Sequence, residues 1–451
     1  MKKNNKAIYL FRFIVAGFLL SNFIIATTIS NAETLKVQGV NPLSEMGKSF
    51  AQSNPTIEVE YEPMQLINTT SDFINAVLTG EFEFDVFLVR TFCYDYQRLI
   101  QKGYCLNLEP NENMMNKIKS MYESVQKELL IDDILYGVPI ALRPEYCYYV
   151  PDAWQKAGYG LNDVPASFMD LCEFIEKWAI RIETDSVEDV CLNNMVDDYA
   201  SWLVNLLMEQ YIIQCQNTSG TVNFHSPAFR DLLIRLKKAG ELMNQNEQSK
   251  EGMSLFGYNA SNGIGNLQCF IPLRLTAFDP IFIKASLEVL CINPKSRYQN
   301  KAYDYLENAL FHLEPIESAK LYVGQTESIE DSHYSSNLED WTIRERELQD
   351  RLAGTTDPDG IANIRVELER LNHARESIER NRFLATHEAL VCYQTSTNYI
   401  FFPPPSVLDP TLPEGQELKK MIKIYLADDI DVDDFIEKLN KIASLLEIED
   451  W

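Results

Sequence analysis

The sequence predicts an α/β protein built on a mostly parallel sheet with helices on both faces, followed by a helical C-terminal part. Three observations predict it. Residues 34–101 alternate strand and helix three times, the pattern that parallel sheets with crossover helices require. Ile131–Pro151 then reads strand, kink, strand, helix. Leu338–Arg382 is rich in Glu, Arg and Leu, with apolar residues at helical spacing.

In order, Thr34–Val40 is a strand ending in Gly39-Val40-Asn41-Pro42, and Leu43–Gln52 is a helix with Met46 and Phe50 on one face. Ile57–Tyr61 alternates as a strand, Ser71–Leu78 is a helix, and Phe84–Val89 is apolar throughout, as a strand covered on both faces must be. Cys93–Gln101 is a helix closed by Gly103. In the central stretch Asp132-Asp133 makes a turn, and Ile134–Tyr136 is a short strand. Gly137 allows a bend, Pro139 has no N–H for a central sheet, and Pro151 opens a helix after the strand Tyr146–Val150. These residues by themselves fit an ordinary strand–helix connection as well as a hinge. Ser167 caps a helix whose Asp170 returns the bond, with Phe168, Leu171, Phe174, Ile175 and Trp178 on one face. Asp197–Gln214 and the segment from Ser226 are further apolar helices. Leu255–Phe256 is a short strand, Ala260–Asn266 a loop, and Phe270–Leu275 and Ala285–Ile292 are strands. Asn300–Leu310 is a helix. Gly354–Gly360 divides Leu338–Arg382 into an antiparallel helix pair, either a stabilising appendage or a docking surface. Glu417–Ala427 and Val432–Leu446 are the last helices, the second with Asp431 at its start.

Composition limits the function. At 451 residues, 46% hydrophobic and 24% charged, the chain is globular and long enough for two or three domains. Residues 1–32 have a basic start (Lys2, Lys3, Lys6), an apolar run and a small-residue end at Ser30-Asn31-Ala32. This is the layout of a secretory signal cleaved after Ala32, the alternative being an uncleaved anchor. Without the segment's four basic residues, 36 Lys and Arg face 66 Asp and Glu, a net charge of −30. Such a surface repels phosphate backbones and argues against nucleic acid. The nine Cys form no C-x-x-C pair, so neither a zinc site nor a redox motif is expected. Cys172, Cys215 and Cys291 read as buried small hydrophobes, and Cys93 with Cys105 is a possible disulfide pair.

Four landmarks together resemble the extracellular solute-binding proteins of ABC importers, in particular the sugar-binder group. They are Ser49–Tyr61 (SFAQSNPTIEVEY); Thr79-Gly80 with Asp85-Val86-Phe87, Gly103-Tyr104 and Leu106-Asn107-Leu108; Leu135–Trp154 (LYGVPIALRPEYCYYVPDAW) with Gly158, Pro165 and Trp178; and Ala285–Leu306 (ASLEVLCINPKSRYQNKAYDYL). They span about residues 35–310. The resemblance implies a two-lobed periplasmic-binding-protein type II fold with a ligand held between α/β lobes. Gly137–Leu142 becomes the first hinge crossing and Phe270–Leu275 the second. Lobe 1 takes 33–138 with 280–315, and lobe 2 takes 143–268. A helical hairpin (338–382) and C-terminal helices (415–451) complete it, the latter packed on both lobes. Unlike many members, the chain has no cysteine after the signal to carry a lipid.

In open parallel sheets ligands bind beyond the carboxyl ends of the strands. That rule selects Asn41, Arg90 and Thr91 on one side, and Tyr146, Tyr199, Trp202, Tyr258 and Asn259 across the gap. Matching positions in the sugar-binding group contact ligand. Tyr and Trp offer stacking faces for the C–H faces of a pyranose, and Asn and Arg offer planar partners for its hydroxyls. Each has a plainer role: Trp202 and the tyrosines as core, Arg90 as an ion-pair partner, Asn41 as a cap. A fixed Arg90 also suits a carboxylate or phosphate.

Enzyme readings find no support. The five His are scattered, and H-E-x-x-H, G-x-S-x-G and the phosphate-cradling glycine loop are missing. The Asp357–Gly360 and Asp429–Asp433 stretches lack the residues of a calcium loop. No cofactor or metal is expected. The reading is an extracytoplasmic, monomeric receptor that takes a small solute, best a carbohydrate, and hands it to the transmembrane subunits of an ABC permease. The alternative is a transport-inactive secreted scaffold that docks a protein partner through the hairpin.

Overall fold

The parallel sheet predicted for the first hundred residues forms, and it becomes the floor of the first of two lobes. The computed structural model describes residues 33–63, 75–76, 79, 82–91, 96–184, 190–193, 198–245, 252–259, 269–271, 273–276, 278–380, 382–402 and 413–449. The leader, Cys93, the loop 260–266 and most of the helix 71–78 lie outside the described residues.

The chain starts with β1 (Glu33–Gln38), α1 (Glu45–Ser53), β2 (Ile57–Glu62) and β3 (Val86–Arg90). β1 lies between β2 and β3 and runs parallel to both. Ser44 caps α1, its hydroxyl accepting from Gly47 N at 3.3 Å, and Met46 and Phe50 are buried as the helical spacing requires. α2 (Tyr96–Gln101) ends at Gly103, whose φ of +72° lets Tyr104 N–H reach back to Leu99 O. Then come α3 (Glu112–Lys119), α4 (Glu123–Leu129) and a small hairpin, β4 (Leu130–Ile131) with β5 (Ile134–Leu135). Its turn residues Asp132 and Asp133 have φ of +53° and +63°, the pair of left-handed conformations a two-residue hairpin needs.

β6 (Gly137–Pro144) leaves this lobe at the sheet edge, paired only with the later β11 (Ile283–Ile292), which runs antiparallel to it. The register shifts opposite Glu288 and Val289, beside Pro139, a position where a missing N–H is tolerated. Gly137 is not a bend. A Cβ there would lie 2.6 Å from Val289 Cγ1 and 2.7 Å from Leu290 O, so glycine is required by the closeness of the neighbouring strand.

Lobe 2 follows with β7 (Tyr146–Tyr149), α5 (Pro151–Lys156), α6 (Phe168–Thr184), β8 (Val190–Cys191), α7 (Tyr199–Thr218), α8 (Pro227–Gln245), β9 (Met253–Ser254) and β10 (Phe256–Asn259). Ser167 Oγ accepts from Asp170 N at 3.1 Å, and Asp170 Oδ2 accepts from Ala166 N at 3.3 Å, so the predicted cap forms with its return bond one residue earlier. Phe174 lies between Trp154 (centroids 4.9 Å, 18°) and Trp178 (6.5 Å, 8°) in the core. α7 and α8 touch backbone to backbone: a Cβ on Gly240 would lie 2.3 Å from Ala200 Cα.

The chain then returns through β11, which pairs with β6 on one side and antiparallel with β3 on the other. Among the described residues, Phe270–Leu275 forms no continuous strand: Phe270 bridges Tyr148, Ile271 N donates to Cys147 O at 2.7 Å, and Arg274 bridges Ser167. The return path beside β6 is Ile283–Ile292, because only that run has the alternating partners of a ladder. α9 (Gln299–Phe311), α10 (Pro315–Leu321), β12 (Ile329–Glu330), α11 (Tyr334–Gly354), α12 (Pro358–Arg380), β13 (Phe383–Ala385), α13 (His387–Ser396) and β14 (Ile400–Phe401) continue lobe 1, β14 pairing parallel with the start of β11. α11 and α12 form the predicted hairpin, held where Trp341 Nε1 donates to Leu371 O at 2.7 Å. It stands on the antiparallel pair β12–β13. α14 (Pro413–Leu426) and α15 (Val432–Glu449) close the chain. Asp431 caps α15 through Asp434 N at 2.8 Å.

Two apolar cores result. One combines β1–β6 with β11, α9, α10 and α13 as far as Ile400. The other combines α5–α8 and β10 with Ile271, Leu273 and Leu275, and with Leu418–Ala443 of the last two helices. Among the described residues, the C-terminal helices pack into the lobe 2 core. Lys237 ties them there, donating to Tyr425 O at 2.8 Å and pairing with Asp428 at 2.6 Å.

Candidate functional site

The site is built along β11. Alternation places Ala285 and Leu287 in the core and Lys284, Ser286 and Glu288 on the opposite face. Pairing sets Arg143 opposite Ser286 and Arg90 opposite Glu288. Glu288 therefore accepts from Arg143 Nη2 at 3.0 Å and forms an ion pair with Arg90, whose Nε lies 2.9 Å from Oε1. Arg143 Nη1 also meets Glu317 Oε1 at 2.5 Å, and Lys320 Nζ lies 3.6 Å from the same oxygen. Burial works against the charge on Arg143, but Glu317 and Glu288 outweigh it and hold its pKa above the ordinary value. For Lys320 burial wins: Glu317 offsets it only in part, Arg143 repels, and the pKa lies below the usual lysine range. Ser286 Oγ and Glu317 Oε2 are buried without a hydrogen-bond partner among the described residues.

A second cluster joins the lobes. Glu145 N–H donates to Lys284 O at 2.8 Å where the chain crosses. Lys284 Nζ lies 3.1 Å from Glu145 Oε2 and 2.8 Å from Glu209 Oε1, Glu209 being on α7 of lobe 2. Tyr258 OH, on β10, donates to Glu209 Oε2 at 3.0 Å and lies 3.3 Å from Glu145 Oε2. Burial opposes the Lys284 charge, but Glu209 and Glu145 overcome it and raise its pKa. Burial, then Glu209 and Glu145, push Tyr258 well above the usual phenol value, so it remains a donor. These residues, with Tyr146 and Gln210, line a cavity of about 30 Å³, room for water molecules and not for a sugar ring.

The sequence-selected residues separate into two groups. Arg90 ends β3 with its side chain 36% exposed. Tyr146 lines the cavity beside Phe270 (centroids 5.1 Å). Trp202 is half-buried against the lobe 2 core and does not line the cavity; Leu206, Glu209 and Ile213, which do, follow it at helical spacing one, two and three turns on. Tyr258 is part of the interlobe cluster. Asn259 pairs by its backbone with Tyr146. Asn41 is exposed, its Oδ1 accepting from Leu43 N at 2.9 Å ahead of α1, so the turn before the cap is its present role. Thr91 is buried, with Oγ1 accepting from Leu287 N at 2.9 Å, and serves the sheet. Tyr199 is fully buried and its hydroxyl donates to Asn193 O at 2.6 Å, which makes it core.

Sequence reasoning missed Arg143, Glu145, Glu209, Lys284, Glu288 and Glu317. The available signal was a charge inside an otherwise apolar run, as in GVPIALRP and IKASLEVLCI. Eight cysteines are free thiols, Cys105 among them, and no group of His, Cys, Asp and Glu among the described residues could hold a metal ion. No helix among the described residues is long and apolar enough to cross a membrane.

No family model and no curated protein sequence matches the chain. Solved structures do. The cyclic α-maltosyl-1,6-maltose binding protein of Arthrobacter globiformis superposes with a TM-score of 0.50 at 13% identity, over 91% of this chain and 97% of that one. Maltose-bound MalE3 of T. maritima gives 0.50 at 14% identity, over 92% and 100%. The chain has the two-lobed fold of these sugar-binding proteins. β6 ends and β11 begins where lobe 1 meets α7 and β10 of lobe 2, and there Glu145, Lys284, Glu209 and Tyr258 come together.

Proposed function

We propose that the chain is an extracytoplasmic solute-binding receptor of an ABC importer, belonging to the sugar-binder group. It captures a small solute, best a carbohydrate, between its lobes and passes it to the permease. The observation that carries this reading is the interlobe stripe of α7. It sets a half-buried Trp202 two turns before Glu209, which pairs with Lys284 of the other lobe. A ring to stack on, beside fixed donors and acceptors, suits a hydroxyl-rich ring. Arg90, Tyr146, Trp202 and Tyr258 are the proposed contacts, with Asn41 and Asn259 at the margins; Thr91 and Tyr199 are left out because their polar atoms already serve the fold. The reading is one of binding, not catalysis, since Glu145, Glu209, Glu288 and Glu317 are all ion-paired.

Closure about the crossings would bury the solute from both sides, and the solute would stabilise that closed state. A ligand at a hundredfold excess over Kd adds about 2.7 kcal/mol of stability. The test is a thermal-shift screen of mono- and oligosaccharides, polyols, amino acids and peptides, with mass spectrometry of any solute carried through purification. A rise in melting temperature with sugars alone is expected. No shift with any class, and no retained solute, would remove the receptor assignment.

A further inference from the structure

We propose that Glu209 and Lys284 form an electrostatic clasp between the lobes that holds the return crossing closed. The inference rests on the receptor reading only for the purpose that opening serves.

α7 grips the returning chain at three successive places. Gln214 Nε2 donates to Asp279 Oδ1 at 3.1 Å, Gln210 Nε2 donates to Phe282 O at 3.1 Å, and Glu209 Oε1 meets Lys284 Nζ at 2.8 Å. The first two hold the crossing itself. Asp279 is anchored in a tight turn, where its Oδ2 accepts from Thr276 N at 2.7 Å. The third reaches a residue of the lobe 1 sheet, since Lys284 lies on β11 and pairs with Phe401 of β14. A rotation of lobe 2 away from lobe 1 can bend the crossing and leave Gln214–Asp279 in place. It must separate Glu209 from Lys284.

The Lys284 and Glu209 side chains are 18% and 24% exposed, so the pair is held firmly at low salt and still open to weakening by high salt. Glu145 and Tyr258 complete the cluster, and both sit on the chain at the crossing or on the strand paired with it. α7 cannot slide on its own, because its backbone contact with α8 at Ala200 and Gly240 leaves no room. Lobe 2 therefore carries Glu209 as a body.

The test uses the full chain without any solute. The radius of gyration is measured by X-ray scattering at low and at high salt for the wild type, Glu209→Gln, Lys284→Met and the double variant. The wild type should expand at high salt. Glu209→Gln should already be expanded at low salt and lose most of the salt response, and Lys284→Met should do the same. The double variant should expand no further than either single one. Glu209→Gln keeps the side-chain shape, so a folded sample is available even if removing the lysine disrupts the lobe. An unchanged radius in folded Glu209→Gln at both salt concentrations overturns the clasp, and so does additive expansion in the double variant. A failed solute screen overturns the receptor reading and leaves this measurement untouched.

Discussion

The two lobes meet the gap with different chemistry. Lobe 1 presents charges carried on neighbouring strands, Arg90, Glu288 and Arg143, locked together with Glu317 and Lys320. Lobe 2 presents one helix face, in which Trp202, Leu206, Glu209 and Ile213 follow at helical spacing. Strand register fixes the first set with no freedom to move apart. The second set is carried on a single helix. Under the proposed receptor function, the strands would supply a fixed polar floor and the helix the face that closes on it.

The contrast can be broken most severely from the floor. Glu317→Gln leaves Arg143 and Lys320 buried with one countercharge fewer, and unfolding in urea should show a loss of about 3–5 kcal/mol. A loss below about 1 kcal/mol would mean that the floor is not held by charge. Alkaline pH should come next. Burial pushes the phenols of Tyr122, Tyr149, Tyr199 and Tyr425 up to about 12 from an ordinary 10.0. Between those values the unfolded chain releases protons that the folded chain keeps. The stabilisation is thus complete below pH 10 and falls away as pH rises towards 12. Melting temperature should drop by several degrees in that window, together with tyrosinate absorbance; a flat profile would contradict the burial of these rings.

Tyr199 and Trp202, three residues apart on α7, sharpen the comparison. Tyr199→Phe should lower stability by about 1–3 kcal/mol, because Asn193 O loses its buried donor, and should leave solute affinity unchanged. Trp202→Ala should weaken the solute found in the screen about tenfold, or about 1.4 kcal/mol, and should lower stability as well, because the ring packs against the lobe 2 core. Calorimetry with parallel denaturation separates them, and matching effects would erase the distinction between core and wall. The smallest effect is expected at Ser286→Ala. Removing an unpartnered buried hydroxyl should be neutral or stabilising by about 1 kcal/mol, and a clear loss would mean that the hydroxyl has a bound partner.

Local chemistry was legible from sequence. The glycine stop at Gly103, the Ser167–Asp170 cap, the Asp132-Asp133 turn and the helix pair around Asp357 each depend on a few adjacent residues, and each forms. Features that depend on distant partners were not. Gly137 reads as a bend because its reason for being small is the side chain of Val289, which no neighbour in sequence announces. Phe270–Leu275 reads as a strand because a short apolar run looks the same whether it pairs or merely lies buried. The short helices Glu112–Lys119, Glu123–Leu129 and His387–Ser396 gave too little periodicity to be found. Of the proposed contacts, Arg90, Tyr146, Trp202 and Tyr258 came from the strand-end rule. Their charged neighbours did not, since Arg143 meets Glu317 across 174 positions of chain.

The long helix pair enters and leaves through β12 and β13, where Glu330 sits opposite Phe383. Adjacent strands lie about 4.8 Å apart, so the excursion begins and ends at almost the same point in space. Residues 334–380 could be cut away and replaced by a tight turn, or exchanged for a fluorescent module, without pulling on either core. A reporter placed there would ride on lobe 1, giving a ready optical handle on its orientation.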